Sequence, residues 1–425
     1  MIEKVKLLVP ASNISATQML QQCLLLAEKQ GLAIDHIQLG VSPTEFFMVQ
    51  NGSSSYRYQT DCFVGSAQVV SSDTDWAFEY HSDSISLATT GSLQPNTVKL
   101  DVADEDFRLD VWRHPLSGEM RALSSHSTQS QVQFDPQRHF CWLLTLLALD
   151  FPIEDSLTLA RALTNVSRET WPEDFSQFPI PVIEDPRLGI QVGWKVANKS
   201  VSFPTLTKQS LGLYPVVDDV TWIEKLLPLG IKTIQLRIKD TQQADLEQQV
   251  VRAIELGRQY KAQVYINDYW QLAIKHGAFG VHLGQEDIEE SNLSQLSRAN
   301  VSLGLSTHGY YELLRIVQIH PSYIALGHIF PTTTKQMPSK PQGLVRLALY
   351  QRLIDSIPYD ASKGYPTVAI GGIDLTNAEQ VWRCGVSSLA VVRAITLAEE
   401  PKQVIDSFAQ LMTLANQQGD TCVAG

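Results

Sequence analysis

A short apolar run, TIQLRIKD, carries three polar side chains at alternate positions: Gln235, Arg237 and Lys239. Alternate residues of a β-strand point to the same face, so an amide and two cations share one side. Cations grouped in this way favour an anion, because arginine offers a planar fork of donors and lysine a point charge. The strand predicts a phosphate or pyrophosphate site; for each residue alone, a solvated surface charge is the alternative.

Two carboxylates and an amide stand in the strings that follow. YINDYW contains Asn267 and Asp268, and HLGQED contains Asp287. Because Mg2+ is usually held by one or two carboxylates together with substrate phosphates, we predict that Asp268 and Asp287 bind Mg2+. The alternative is turn formation or helix capping, which Asn and Asp also favour.

Two further strings suit a phosphate group. FPTTTK places three hydroxyls, including those of Thr332 and Thr334, beside Lys335. In IGGI, Gly371 and Gly372 carry no side chain, so their backbone N–H groups can approach an anion closely. A threonine-rich loop is also typical of a solvated turn, and a glycine pair is not specific by itself.

Two histidines, His282 and His308, lie near the carboxyl ends of predicted strands and could act as general acids or bases. Neither is spaced with a Ser or Cys nucleophile and a carboxylate, so we assign them no proton transfer. We expect each imidazole to be satisfied by hydrogen bonds to its neighbours.

Eight strand patterns, separated by helical patterns or short connections, must position these residues. In order they are LGLYPVVDD, TIQLRIKD, QVYINDYW, GVHLGQED, VSLGLSTH, YIALGHIFP, TVAIGGID and SLAVVRAI. Parallel strands joined in this way close naturally into a (β/α)8 TIM barrel; a doubly wound sheet is the alternative. The polar residues follow the carboxyl ends of the strands, where active sites of this barrel assemble.

The chain has 425 residues, which is long for one domain. The region between about residues 40 and 135 is typical of strands and turns, and two helical patterns follow. A proline cluster, FPIP, then interrupts regular structure. We predict a mixed α/β accessory domain at 1–175, a linker at 176–207 and the barrel at 208–425.

Composition excludes several classes of protein. With 33 Lys and Arg against 45 Asp and Glu, the net charge of −12 disfavours sequence-independent binding to nucleic acid or anionic membranes. The five scattered cysteines form no CxxC pair and favour a reducing compartment. No apolar run approaches the roughly 20 residues of a membrane span. We expect a cytoplasmic protein that acts on small molecules; a homo-oligomer is compatible with the sequence.

Seven strings occur in an order and spacing that resemble thiamine phosphate synthases over nearly all of residues 208–415. They are QLRIKD, INDYW, GVHLGQED, LGLSTH, GHIFPTTTK, AIGGI and LAVVRAI. The resemblance implies a transferase that joins hydroxymethylpyrimidine diphosphate to hydroxyethylthiazole phosphate and releases pyrophosphate with Mg2+. It also implies that pyrophosphate departs before the thiazole nitrogen attacks.

The resemblance further implies roles for individual residues. Gln235, Arg237, Lys239 and Asn267 would contact the pyrimidine diphosphate, and Asp268 and Asp287 would hold Mg2+. Ser306 would lie near the reacting pyrimidine, Thr332, Thr334 and Gly372 near the thiazole phosphate, and Lys335 near the leaving pyrophosphate. The expected catalytic residues are Arg237, Lys239, Ser306 and Lys335.

Two residues depart from the family pattern. His328 stands where proline is common, and Arg393 stands where a small serine is usual, so that Arg393 would either add a phosphate contact or crowd the pocket. One alternative function is a thiazole tautomerase-like or regulatory relative without coupling activity. Another is a small-molecule sensor whose amino-terminal half is a partner module.

The accessory half contains the string RHFCWLLTLLALDFPIEDSLTLARALTNVSRETW, which resembles the closing helices of the kinase that makes the pyrimidine diphosphate. That kinase has a glycine-rich anion loop where this chain has Arg138 to Cys141. Without such backbone donors for a nucleotide phosphate, kinase activity should be lost. We therefore expect a degenerate kinase-like or unrelated domain.

Overall fold

The computed structural model describes residues 4–63, 73–80, 93–126, 134–194, 201–332 and 340–419. They form two compact units, residues 1–192 and 193–425. The predicted linker, 176–207, contains the division between the units, and its ends stay a prediction. Among the described helices, none combines the length and the apolar character of a membrane-spanning segment.

The first unit contains a nine-stranded mixed sheet in the order β2-β1-β3-β4-β5-β6-β7-β8-β9. Its strands are β1 Val5–Val9, β2 Ile37–Val41, β3 Phe47–Asn51, β4 Ser54–Thr60, β5 Trp76–Glu79, β6 Thr97–Asp104, β7 Phe107–Arg113, β8 Met120–His126 and β9 Ile180–Pro181; the pair β10 Glu184–Asp185 and β11 Ile190–Gln191 is separate. Its helices are α1 Ala16–Lys29, α2 Pro136–Ala148 and α3 Ile153–Thr164. The strands expected before residue 135 and the two helices expected after it are confirmed.

Charged side chains tie helix α3 to the sheet of this unit. The guanidinium of Arg161 is 3% exposed and donates from Nε to Asp110 Oδ2 at 2.9 Å, and from Nη1 to Asp101 Oδ1 at 3.0 Å. Its carbon Cζ lies 4.0 Å from the ring centroid of Phe134. A buried cation is tolerated here because two carboxylates and an aromatic face surround it.

The second unit is a closed barrel of eight parallel strands. They are β12 Leu213–Val217, β13 Thr233–Leu236, β14 Gln263–Asn267, β15 Gly280–Leu283, β16 Ser302–Thr307, β17 Tyr323–Gly327, β20 Thr367–Ile370 and β21 Ser388–Val391; β18 Pro358–Tyr359 and β19 Ser362–Lys363 form a small hairpin. The first and last barrel strands pair in parallel, with Leu213 opposite Leu389. This closure confirms the predicted (β/α)8 barrel, and the doubly wound alternative is wrong.

Helices connect and cover the strands. They are α4 Val220–Leu226, α5 Leu246–Tyr260, α6 Trp270–His276, α7 Gln285–Glu290, α8 Leu293–Arg298, α9 Tyr310–Ile316, α10 Gly343–Ser356, α11 Ala378–Trp382, α12 Arg393–Thr396 and α13 Pro401–Gly419. All eight strand patterns read from the sequence correspond to barrel strands.

Three tyrosine rings, those of Tyr214, Tyr265 and Tyr323, fill the barrel interior, and each is at most 1% exposed. The strand register explains how they fit. Tyr265 lies opposite Gly280, and Tyr323 lies opposite Gly304. A Cβ atom at either glycine would clash with the facing ring. The glycines therefore make room for the tyrosines.

Residues 201–212 close the amino-terminal end of the barrel. Leu206 donates its backbone N–H to Tyr359 OH at 2.8 Å, and Gln263, the first residue of β14, donates from Nε2 to Ser210 O at 3.1 Å. Leu206 also packs against the interior cluster of tyrosines. The buried apolar side chains of this segment are Val201, Phe203 and Leu211. The segment is thus an integral part of the barrel unit.

Candidate active site

The three polar residues of TIQLRIKD become more exposed along the chain, from the barrel interior to its carboxyl-terminal rim. Gln235 is 4% exposed, Arg237 is half-buried and Lys239 is exposed. Leu236 and Ile238, on the opposite face, are buried. Since Arg237 N donates to Val217 O at 2.7 Å, pairing between β12 and β13 continues past the last residue of β13. The two cations therefore follow the strand into the loop at its carboxyl end.

The turn after β14 holds Asn267 and Asp268. Asn267 is buried, and Asp268 adopts a left-handed backbone with φ of 63°. The backbone N–H of Asp268 donates to His282 O at 3.0 Å, which fixes this turn against β15. Aspartate tolerates left-handed backbone better than most residues do, so residue 268 has a structural reason to be Asp as well as the predicted metal-binding one.

Tyr269 joins two loops of the candidate site, a role that was not predicted from the sequence. Its hydroxyl donates to Ile238 O at 3.0 Å, between Arg237 and Lys239. Burial raises the pKa of the Tyr269 phenol, and the neighbouring charge of Asp268 raises it further. The loop with the two cations and the turn with Asp268 are therefore held together. The tyrosine in INDYW is the sequence feature that could have indicated this contact.

Asp287 is the third residue of α7, where its carboxylate caps the helix. Its Oδ2 accepts from Gly284 N at 3.0 Å. The capping alternative is thus realised in the structure, while a carboxylate has a second oxygen that can bind a cation. Asp268 and Asp287 follow neighbouring strands, β14 and β15.

The carboxylates of Asp268 and Asp287 suit a Mg2+ ion whose other ligands come from substrate and water. Among the described residues, no group of three or more His, Cys, Asp and Glu is placed to hold a metal ion. The two carboxylates supply no protein cage, but Mg2+ rarely uses one and completes its shell with water and substrate phosphates. The residues present fit a Mg2+ ion that binds with a diphosphate.

A chain of hydrogen bonds crosses the barrel from Gln235 to Ser306. Gln235 Nε2 lies 3.2 Å from Tyr214 OH, and Tyr214 OH lies 2.8 Å from Tyr323 OH. Tyr323 OH lies 2.8 Å from His282 Nδ1, and His282 Nε2 lies 2.8 Å from Ser306 Oγ. We call these five residues the relay. It links two predicted substrate contacts that lie on different strands, Gln235 on β13 and Ser306 on β16.

Both histidines have hydrogen-bond partners, as expected from the sequence. The ring nitrogens of His282 belong to the relay, and His308 Nδ1 lies 2.9 Å from Glu312 Oε2. Gln285 fixes the backbone of Ser306, because its Nε2 donates to Ser306 O at 2.6 Å.

No individual role was predicted from the sequence for Tyr214, Tyr323 or Gln285. In the sequence the two tyrosines resemble ordinary core residues.

The glycine pair after β20 packs against the loop after β17. Gly372 has φ of 67°, and a Cβ there would lie 2.7 Å from Pro331 O and 2.8 Å from Phe330 Cβ. Thr332, the next residue of that loop, is half-buried. Two predicted contacts to the thiazole phosphate are therefore brought close together. Thr334 and Lys335 lie outside the described residues.

The two departures from the family pattern differ in burial. His328 is 7% exposed and lies in the loop that packs against Gly371. Arg393, the first residue of α12, is exposed, so its side chain does not fill the barrel interior.

This fold and site define a (β/α)8 barrel with a polar carboxyl-terminal rim suited to a phosphorylated ligand. The sequence model of a family described as thiamine monophosphate synthase matches residues 213–395. The thiamine-phosphate synthase of Yersinia pestis (strain Pestoides F) is 56% identical over 212 residues, which are 50% of this chain and 93% of the relative. That of Klebsiella pneumoniae subsp. pneumoniae is 56% identical over 206 residues, 48% of this chain and 92% of the relative.

Among solved structures, thiamine phosphate pyrophosphorylase from Pyrococcus furiosus aligns with 49% of this chain and 98% of its own, at 26% identity and a TM-score of 0.43. The sequence relatives decide the assignment: the chain belongs to the thiamine-phosphate synthase family. It is accordingly an enzyme of the transferase class with a role in thiamine biosynthesis.

Proposed function

We propose that the barrel joins hydroxymethylpyrimidine diphosphate to hydroxyethylthiazole phosphate. The bond between the pyrimidine methylene carbon and the diphosphate oxygen breaks, and its electron pair leaves with pyrophosphate. The lone pair of the thiazole nitrogen then forms the new C–N bond, which gives thiamine phosphate. No protein nucleophile takes part, so the work of the residues is to position the substrates and stabilise developing charge.

One observation supports this function most strongly, the environment of Arg237. Arg237 is half-buried in the loop at the carboxyl end of β13, and no carboxylate among the described residues forms an ion pair with it. A partly buried cation without a counter-ion favours an anionic ligand. Lys239, two residues further on, adds a second positive charge where pyrophosphate would leave.

The other residues divide between the two substrates. Gln235, Asn267 and Ser306 would contact the pyrimidine ring and its reacting carbon. Thr332, Thr334 and the backbone N–H of Gly372 would bind the thiazole phosphate, and Lys335 would reach the leaving pyrophosphate. Asp268 and Asp287 would hold Mg2+, which when bound neutralises charge on the diphosphate.

Two further proposals concern the whole chain. We place the protein in the cytoplasm, because Cys23, Cys62, Cys141 and Cys384 are free thiols in the structure and a reducing compartment keeps them so.

We also propose that the accessory half has no kinase activity. The carboxylate of Asp135 accepts from Arg138 N at 3.1 Å at the start of α2, so a negative charge already occupies that helix terminus.

Replacement of Arg237 tests the function. In a pyrophosphate-release assay of the full chain with both substrates and Mg2+, Arg237→Met should lose about 10²-fold in kcat/KM. Arg252→Met is the matched control, because Arg252 lies on α5 and pairs with Glu224 at 2.8 Å on the exposed surface; it should stay within about twofold. Equal rates for the parent and Arg237→Met would contradict the assignment.

A further inference from the structure

The relay has a direction, and its first step is set by Gln235. An amide nitrogen only donates, so Tyr214 OH accepts from Gln235 Nε2. Tyr214 is 1% exposed, and within the described part of the chain its remaining hydrogen-bond partner is Tyr323 OH. A buried hydroxyl proton without an acceptor is costly. Tyr214 therefore donates to Tyr323.

The same reasoning fixes the next two steps. Tyr323 is fully buried and already accepts from Tyr214, so its own proton goes to His282 Nδ1. A neutral imidazole whose Nδ1 accepts carries its proton on Nε2. That proton is donated to Ser306 Oγ. The hydroxyl proton of Ser306 is then available to a ligand, since this side chain is only partly buried.

We propose that Tyr214 and Tyr323 are positioning residues that orient the relay, so that Ser306 presents a hydrogen-bond donor to the ligand in the barrel mouth. At the other end, Gln235 uses its amide nitrogen within the relay and keeps its Oε1 as an acceptor. A donor at Ser306 suits an unprotonated ring nitrogen of the pyrimidine substrate. This last step rests on the proposed function, whereas the direction of the relay is a property of the protein without ligand.

The direction is tested by 15N NMR of the full chain labelled at histidine and kept at neutral pH without ligand. The chain has 10 histidines, and a His282→Gln variant identifies the signals of His282. We expect the tautomer protonated at Nε2 only. In Tyr323→Phe, the Nδ1 resonance should move towards that of a ring nitrogen without a hydrogen bond.

Tyr265→Phe is the matched control. Its ring is also buried and its centroid lies 5.2 Å from that of Tyr323, but its hydroxyl bonds Ser302 Oγ at 2.9 Å, outside the relay. This variant should leave the His282 resonances in place. In the coupling assay, Tyr323→Phe should raise KM for the pyrimidine diphosphate about tenfold with a smaller change in kcat, and Tyr265→Phe should change KM less than about twofold.

Three outcomes would overturn the proposal: a His282 protonated at Nδ1 or at both nitrogens in the parent chain, a Nδ1 resonance that does not respond to Tyr323→Phe, or an equal rise in KM for Tyr265→Phe. A parent chain that forms no product would end the proposed function instead. The NMR result would still decide the direction of the relay, so the two failures are distinguishable.

Discussion

Gly304 lies directly opposite Tyr323 in the neighbouring strand, and only a residue without a side chain leaves room for that ring. The Tyr323 hydroxyl in turn reaches His282. A glycine in the middle of a strand usually weakens that strand. Gly304 is nevertheless required here, because the Tyr323 ring that supports the candidate site occupies the space of a side chain.

Gly304→Ala should destabilise the barrel. The new methyl group would overlap the Tyr323 ring, and overpacking of this kind costs about 1–3 kcal/mol. Urea unfolding followed by tryptophan fluorescence measures the loss. In a Tyr323→Leu background the same substitution should cost clearly less, because the ring is gone. An identical cost in both backgrounds would show that the ring is not the cause.

Asp268→Asn should weaken the response to Mg2+. Asparagine, like aspartate, tolerates the left-handed backbone at this position, so the substitution removes the charge and keeps the turn. We expect turnover to fall about 10²-fold and the Mg2+ concentration for half-maximal rate to rise.

Asp240→Asn is the control for that prediction. Asp240 is an exposed carboxylate in the preceding loop, the one that follows β13, and its Oδ1 accepts from Gln242 N at 2.9 Å in a local turn. Its Mg2+ titration should match that of the parent. If Asp268→Asn gave the parent's titration too, Asp268 would not be a metal ligand.

A chain that starts at residue 193 should keep the rate of the full chain, whereas one that starts at residue 213 should be much less stable. The shorter chain loses Val201, Phe203 and Leu211, which are buried in the barrel unit. At 1.5–3 kcal/mol for each buried side chain, the loss is roughly 5 kcal/mol or more. Thermal melts and coupling assays of both chains measure it. A coupling rate below that of the full chain for residues 193–425 would show that the first half contributes to catalysis.

The barrel should lose stability at alkaline pH. Burial raises the pKa of Tyr214, Tyr265 and Tyr323 above the ordinary value near 10. Above pH 10 the unfolded chain releases these protons while the folded barrel retains them, so the free energy of unfolding falls by about 1.4 kcal/mol per pH unit for each tyrosine. The stability present below pH 10 is lost as pH rises.

Urea unfolding of the parent and of Tyr265→Phe between pH 9 and 11.5 isolates one of these tyrosines. The slope of stability against pH should be shallower in the variant by the contribution of a single phenol. Parallel slopes above pH 10 would mean that Tyr265 ionises as easily in the folded barrel as in the unfolded chain.

The barrel can be predicted well from the sequence because each of its strands is encoded in one short stretch of residues. Each strand is a short apolar run, and the polar residues that follow, such as Arg237 and Asp268, lie at the carboxyl ends of strands that must meet at one rim. The relay could not be predicted in this way. Tyr214 and Tyr323 are 109 residues apart, and each resembles a core residue until the barrel closes and brings the two hydroxyls together.

The ambiguity at Asp287 has a different origin. One carboxylate can cap a helix and bind a cation at the same time, so residue type and spacing favour both. The structure shows the cap, and the metal role stays a prediction.

The proposed coupling is tested most directly by the mass balance of the full chain supplied with both substrates and Mg2+. We expect thiamine phosphate and pyrophosphate to appear in equal amounts, with no thiamine phosphate when the thiazole phosphate is left out. Recovery of both substrates intact, or release of pyrophosphate without thiamine phosphate, would contradict it.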